Sequence, residues 1–158
     1  MALYYGQIYS HLTYGILFWG SSPHATRIFK IQKRAVRIMT NSHYLAPCKP
    51  IFRKLCLLPF PCVYILHVLL YTYNNINQFN KNSSVHNHFT RSSNDLHVPY
   101  VRTTTALCGP KSMGLKLYNA LPNELKCIKS YSIFKSKIKE ILLDKMYYKV
   151  SDLINDRI

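Results

Sequence analysis

The side chains best placed for chemistry lie between His24 and Met39, HATRIFKIQKRAVRIM, and they are cations rather than nucleophiles. At 3.6 residues per turn, Ile28, Phe29, Ile31, Ala35, Val36, Ile38 and Met39 share one half of a helix. Arg27, Lys30, Lys33, Arg34 and Arg37 share the other. Such a helix docks on a core through its apolar half and turns five positive charges outward. There they are either a solvated face or contacts for an anionic partner. Arg53, Lys54 and Arg91 are the further cations expected to reach that partner.

The charge balance of the chain favours the partner. Of 158 residues, 21 are Lys or Arg and 6 are Asp or Glu, a formal charge of +15, and self-repulsion of that size is relieved by an anion. The first carboxylate is Asp95, followed by Glu124, Glu140, Asp144, Asp152 and Asp156, so residues 1–94 carry ten cations and no acid. Clustered Lys and Arg gain affinity for a phosphate backbone by releasing its condensed counterions, which makes nucleic acid the expected counter-surface. Anionic membrane is the runner-up, but no membrane partner is expected. Met1–Trp19 carries Gln7, Ser10, His11 and Thr13, and the apolar run Phe60–Tyr73 has fourteen residues and includes His67.

Catalytic constellations are missing. Two-metal phosphoryl transfer needs carboxylates converging on cations about 4 Å apart. The close acid pairs here, Glu140 with Asp144 and Asp152 with Asp156, sit four residues apart among lysines, where ion pairing along a helix is the simpler role. The five glycines are scattered, with no phosphate loop and no Gly-x-Ser-x-Gly elbow, so no cofactor is expected and the chain is not expected to be an enzyme on its own. Cys48, Cys56, Cys62, Cys108 and Cys127 are odd in number and irregular in spacing, which fits neither a disulfide framework nor a zinc knuckle. His86 and His88 could join a cysteine at a metal, yet surface histidines are commoner and no metal is expected; Cys48, Cys56 and Cys62 read as small buried hydrophobes. Thirteen tyrosines include Tyr4, Tyr5, Tyr9 and Tyr14, expected to pack in core and rim, whereas Tyr44, Tyr100 and Phe89 lie near loops and are freer to stack on bases.

The elements that must position these groups are mainly α. Ala2–Trp19 reads as one apolar helix closed by Gly20 in a left-handed cap, with Ser22 as N-cap and Pro23 as first residue of the basic helix. After a loop over Asn41–Pro50, a short helix Pro50–Leu57 buries Ile51, Phe52 and Leu55, and Pro59 and Pro61 break the chain. Phe60–Asn74 follows as a buried helix with Val63, Leu66, His67, Leu70 and Tyr71 inward. Asn75–Ser93 turns to Asn, Ser, Lys and His and reads as a mobile loop. Leu96–Thr105, with three threonines and Pro99, suits an extended segment or edge strand. Two further helices are expected, Lys111–Ala120 and Ile133 to about Tyr147. The second is capped by Ser132, packs through Phe134, Ile138, Ile141, Leu142 and Met146, and turns Lys135, Lys137, Lys139 and Lys145 outward. The fold class is therefore mainly α: a helical bundle over residues 1–77, a polar loop or hinge over 78–95, and a smaller helical part over 96–158 with a short extended segment. The N-terminus lacks a basic leader and small-residue cleavage site, so an intracellular location, nuclear or cytoplasmic, is expected.

Three stretches carry a resemblance. LYYGQIYSHLTYGILFWGSS followed by IQKRAVRIM resembles the region just after the polymerase palm in reverse transcriptases of non-LTR retrotransposons, jockey-like elements especially. HNHFTR, His86 to Arg91, is similar to their His-x-Tyr-x-Thr-Arg patch, with Phe89 in place of the tyrosine. GLKLYNALPNELK followed by SYSIFKSKIKEILL resembles their Tyr/Trp-Asn-x-Leu-Pro element and closing Phe-Lys helix. The resemblance spans nearly the whole chain in order. It implies that the first helices act as the thumb of an RNA-directed DNA polymerase, gripping RNA or RNA/DNA duplex by its phosphates, and that they pack on a palm. The palm's Tyr-x-Asp-Asp motif and the N-terminal endonuclease are absent from this sequence. No catalytic residue carries over, and a fragment, a truncated reading frame or a decayed copy without function is implied.

Overall fold

A computed structural model describes residues 1–86 and 90–156. In chain order it holds a π-helical stretch Tyr4–Tyr9, α1 (Ser10–Thr13), α2 (Ile16–Trp19), α3 (Ala25–Met39), α4 (Cys48–Lys54), α5 (Phe60–Asn74), a 3-10 turn Ile76–Gln78, α6 (Asn82–Val85), α7 (Thr104–Cys108), α8 (Pro110–Asn119), α9 (Asn123–Lys126), α10 (Tyr131–Lys145) and α11 (Val150–Asp156). The mainly α expectation holds. The short extended segment reduces, among the described residues, to one antiparallel bridge between Lys81 and Leu96. Thr104–Cys108 is helical instead, with the Thr103 hydroxyl capping it by accepting from the Ala106 N–H at 3.4 Å.

The bundle is built around α5. Its apolar residues occupy every side, so the helix can be covered all round, and eleven of its fifteen residues are buried. Pro59, extended at ψ 151°, ends the preceding segment and starts the helix. The inward set read from the sequence loses two members, since His67 and Tyr71 lie on the less buried side. α8 crosses α5 closely: a Cβ on Gly114 would run into the Thr72 hydroxyl, which itself donates to the Val68 carbonyl at 3.0 Å. α10 packs through Phe134, Ile138 and Leu142, with Phe134 stacked on Tyr73 at 4.4 Å. Ser130, not Ser132, stands at its N-cap. Cys62 is fully buried, and burial pushes its thiol up to about 12, outweighing the bond it donates to the Tyr147 carbonyl, so it is an inert core residue. Cys48 is buried as expected, whereas Cys56 is exposed on a left-handed turn, φ 51°, at the end of α4.

The N-terminal stretch is not one helix. It breaks at Tyr14, which is extended, and at Gly15, which takes φ 59° where a side chain would be strained. The Tyr14 carbonyl freed by the break accepts from the Trp19 indole N–H at 2.7 Å, and that indole stacks on Phe60 at 5.3 Å. The left-handed glycine is thus Gly15. Gly20 is ordinary in φ and matters through close approach, since a Cβ there would meet the Tyr64 ring and, at 2.6 Å, the Ile16 carbonyl. α3 likewise starts later than read, with His24 at the N-cap and the Ser22 carbonyl accepting from the Ala25 N–H.

The described residues of the polar segment 78–95 are bonded to one another and to the chain beyond it. Asn82 and Ser83 donate backbone N–H bonds to Asp95 and Ser93, and His97 donates one to Asn80. The following Leu96 is buried and held by Asn119, whose amide accepts from the Leu96 N–H at 3.0 Å and donates to its carbonyl at 2.8 Å, as a paired strand would. Lys126 closes the group, bonding Asp95 at 3.2 Å and the Asn119 carbonyl at 3.0 Å. Asn119→Ala strands both Leu96 groups and is expected to cost about 1–3 kcal/mol, read as a lower urea midpoint at unchanged m-value.

His67 sets a second expectation. Burial first, and the nearby Lys135 charge second, hold its imidazole below the ordinary value of 6.5. A folded pKa below the unfolded one makes the contribution complete above pH 6.5 and loses it as pH falls from there toward the depressed value. Chemical-denaturation midpoints should therefore drop between about pH 7 and 5, and His67→Leu should flatten that drop. An identical slope in the variant would show that another group is responsible.

Candidate nucleic-acid interface

α3 carries the candidate site, and its roll about its own axis differs from that expected. Phe29, Gln32 and Val36 face the core. Ile31 and Ile38, read as docking residues, are 63% and 70% exposed, and Met39 is exposed as well. The cause is Gln32, which is wholly buried and makes three bonds. Its amide N–H groups donate to the Tyr4 hydroxyl at 2.8 Å and the Leu58 carbonyl at 2.9 Å, and its carbonyl accepts from the Phe60 N–H at 2.7 Å. Phe60 opens α5, so this amide caps that helix from across the core. Three bonded groups that must stay dry outweigh two isoleucines left wet, and α3 turns by roughly 60° from its apolar arc, at 100° per residue.

The roll sorts the five cations. Arg27, Lys30 and Arg34 are exposed, with Ile31 and Ile38 beside them. Lys33 is half-buried, its ammonium 4.6 Å over the Phe29 ring and 5.8 Å from that of Tyr148. Arg37 is half-buried too, its Nε donating to the Ala46 carbonyl at 2.9 Å. Lys33 therefore belongs to the packing between α3 and the C-terminal part more than to the outer face. Arg53 is exposed, but its guanidinium donates to the Asp144 carbonyl at 2.8 Å and joins α4 to the end of α10. Lys54 beside it is exposed. Arg91 is exposed in a turn whose next residues, Ser92 and Ser93, bond Asn82 and Ser83 of α6, so its neighbours are those of α6.

The electrostatics of the row follow from where the acids are. The ion pairs among the described residues are Lys126–Asp95, Lys137–Glu140 and Lys145–Asp156, and none involves α3. Asp156 also accepts from the Tyr147 hydroxyl, and this bond, with Lys145, holds its carboxyl below the usual range. Asp152 accepts from the Lys149 N–H at 2.9 Å. Of the acids flagged in the sequence, Glu140, Asp152 and Asp156 thus each hold a structural partner.

Of the tyrosines, Tyr4 is buried, Tyr5 packs edge-on and Tyr9 tilted against it at the rim, and Tyr14 is exposed, against expectation, because the break before Gly15 swings it out. Tyr44 and Tyr100 are exposed. Phe89 and His88 lie outside the described residues. No three of His, Cys, Asp or Glu among the described residues gather to hold a metal ion. No helix among those residues is long and apolar enough to cross a membrane.

The site thus belongs to a helical protein with a short exposed cationic row that has isoleucines in it. Comparison with protein-family models, with curated proteins and with solved structures finds no match for this chain.

Proposed function

We propose that the chain binds RNA or RNA/DNA duplex through phosphate contacts along α3, as the non-catalytic thumb and C-terminal part of an RNA-directed DNA polymerase of the non-LTR retrotransposon kind. The observation that supports this is the exposed row Arg27, Lys30 and Arg34 in a half-chain that has no carboxylate before Asp95. An A-form duplex is gripped mostly through shape and backbone, so no base specificity goes with it, and the setting would be nuclear, where the parent element meets chromosomal DNA. The test is affinity for an RNA hairpin against salt. Log K should fall with log salt at a slope near −0.9 for each phosphate contact on B-form duplex, or about −3 for three. A salt-independent affinity, or none at physiological salt, overturns the reading.

A second reading is favoured by Leu3, Tyr14 and Phe18, which are 79%, 84% and 87% exposed. Large apolar side chains in water mark a surface made to be covered, and the palm of the parent polymerase would cover it. On that reading the isolated chain self-associates in sizing chromatography, and adding the RNA hairpin changes nothing.

A further inference from the structure

Beside the end of α3 lies a hollow of about 610 Å³ lined by Arg34, Arg37, Ile38, Ser42 and Tyr44. The loop that forms its wall is held from several sides. Asn41 takes φ 48° and reverses the chain, and the Ser42 N–H donates to the Arg37 carbonyl at 2.9 Å. The hydroxyls of Thr40 and Ser42 pair at 2.8 Å, and the Ala46 N–H donates to the His43 carbonyl at 2.9 Å. Arg37 is oriented by the bond from its Nε to the Ala46 carbonyl, which leaves the Nη edge of its planar fork for an incoming oxyanion. Tyr44 is 72% exposed, and its ring sits 4.8 Å from that of His43.

Two guanidiniums, a hydroxyl, an aliphatic side chain and an exposed aromatic ring together match a phosphate joined to a flat apolar ring. We propose that this hollow takes one unpaired nucleotide, its phosphate between Arg34 and Arg37 and its base stacked on Tyr44. The inference rests on the reading of α3 as a phosphate-binding face and extends it. Arg34 belongs both to the row and to the hollow, so a strand followed along Arg27, Lys30 and Arg34 delivers its next residue there. Base–aromatic stacking tolerates any base, which suits a site that reads the end of a duplex rather than its sequence.

The experiment compares a blunt RNA hairpin with the same hairpin bearing a short single-stranded tail, using fluorescence anisotropy and the full chain. The tail should improve affinity about tenfold, the size of one base–aromatic stack. Tyr44→Ala should abolish that preference and leave blunt binding unchanged, while Tyr44→Phe should keep it. Tyr44 is exposed, so neither substitution should disturb folding. Equal affinity for both hairpins, or a preference that survives Tyr44→Ala, overturns the inference while the duplex-binding reading stands. Binding of neither hairpin overturns both. A phosphotyrosine peptide that displaces the tail better than a nucleoside monophosphate also overturns it, in favour of a protein ligand.

Discussion

Replacing Gln32 by leucine lowers the stability of the protein by about 3–5 kcal/mol, a large share of the 5–15 kcal/mol typical of a folded domain. The volume is nearly conserved, so no large cavity opens. The cost comes from the groups left behind: the Phe60 N–H, the Leu58 carbonyl and the Tyr4 hydroxyl all lose a partner where α3, α5 and the π-helical stretch meet. Each stranded group costs about 1–3 kcal/mol, and local relaxation recovers some of it. Equilibrium urea unfolding followed by circular dichroism measures the loss. A change below about 1 kcal/mol would mean that these groups find other partners and that α3 is not held by this amide. Arg27→Gln, on the exposed side of the same helix, should stay within about 0.5 kcal/mol and controls for helix propensity.

Removing the exposed charges acts on binding and leaves folding alone. With Arg27, Lys30 and Arg34 all changed to glutamine, affinity for the RNA hairpin should fall about a hundredfold near 0.15 M salt, and the salt slope should become shallower by about three. No ion pair among the described residues is lost with these side chains, so the thermal midpoint should hold. A matched variant lacking Lys129, Lys135 and Lys139 removes the same net charge elsewhere, from residues that are all exposed. It should change the slope by less than one contact. Equal losses from both triple variants would mean that affinity follows net charge alone, and the α3 interface would be abandoned.

Much of the architecture could be read directly. The bounds of α5 were legible to the residue because its apolar run is bounded by Pro59 and by the polar pair Asn74 and Asn75, whereas its less buried side, at His67 and Tyr71, was not. Nor was the N-terminal break. The sequence pointed to Gly20 as the left-handed cap, but it is Gly15 that turns left-handed, where Trp19 stacks on Phe60, forty-one residues further on. The polar stretch after Asn75 read as a loop or hinge, and the bonds of its described residues could not be read with it, because they are backbone bonds and an Asn119 amide contributed from α8. For the candidate site, the cations were visible and their sorting was not. Gln32 sits between Met39 and Val36 on the helical wheel, a signal that was present, but a lone amide in an apolar arc does not name its partners.

By itself the sequence determined a mainly helical chain with a buried central helix, a strong positive charge without acids in its first 94 residues, and a basic helix to carry it. These are sums and periodicities, and they survive any choice of tertiary arrangement. Which three cations face water, that Lys33 turns to an aromatic ring, and that Arg34, Arg37 and Tyr44 share one hollow were decided by the folded structure. The physical reason is that helix roll is set by the few groups that cannot be buried unbonded. Gln32 finds its partners at Tyr4, Leu58 and Phe60, twenty-six or more residues away along the chain.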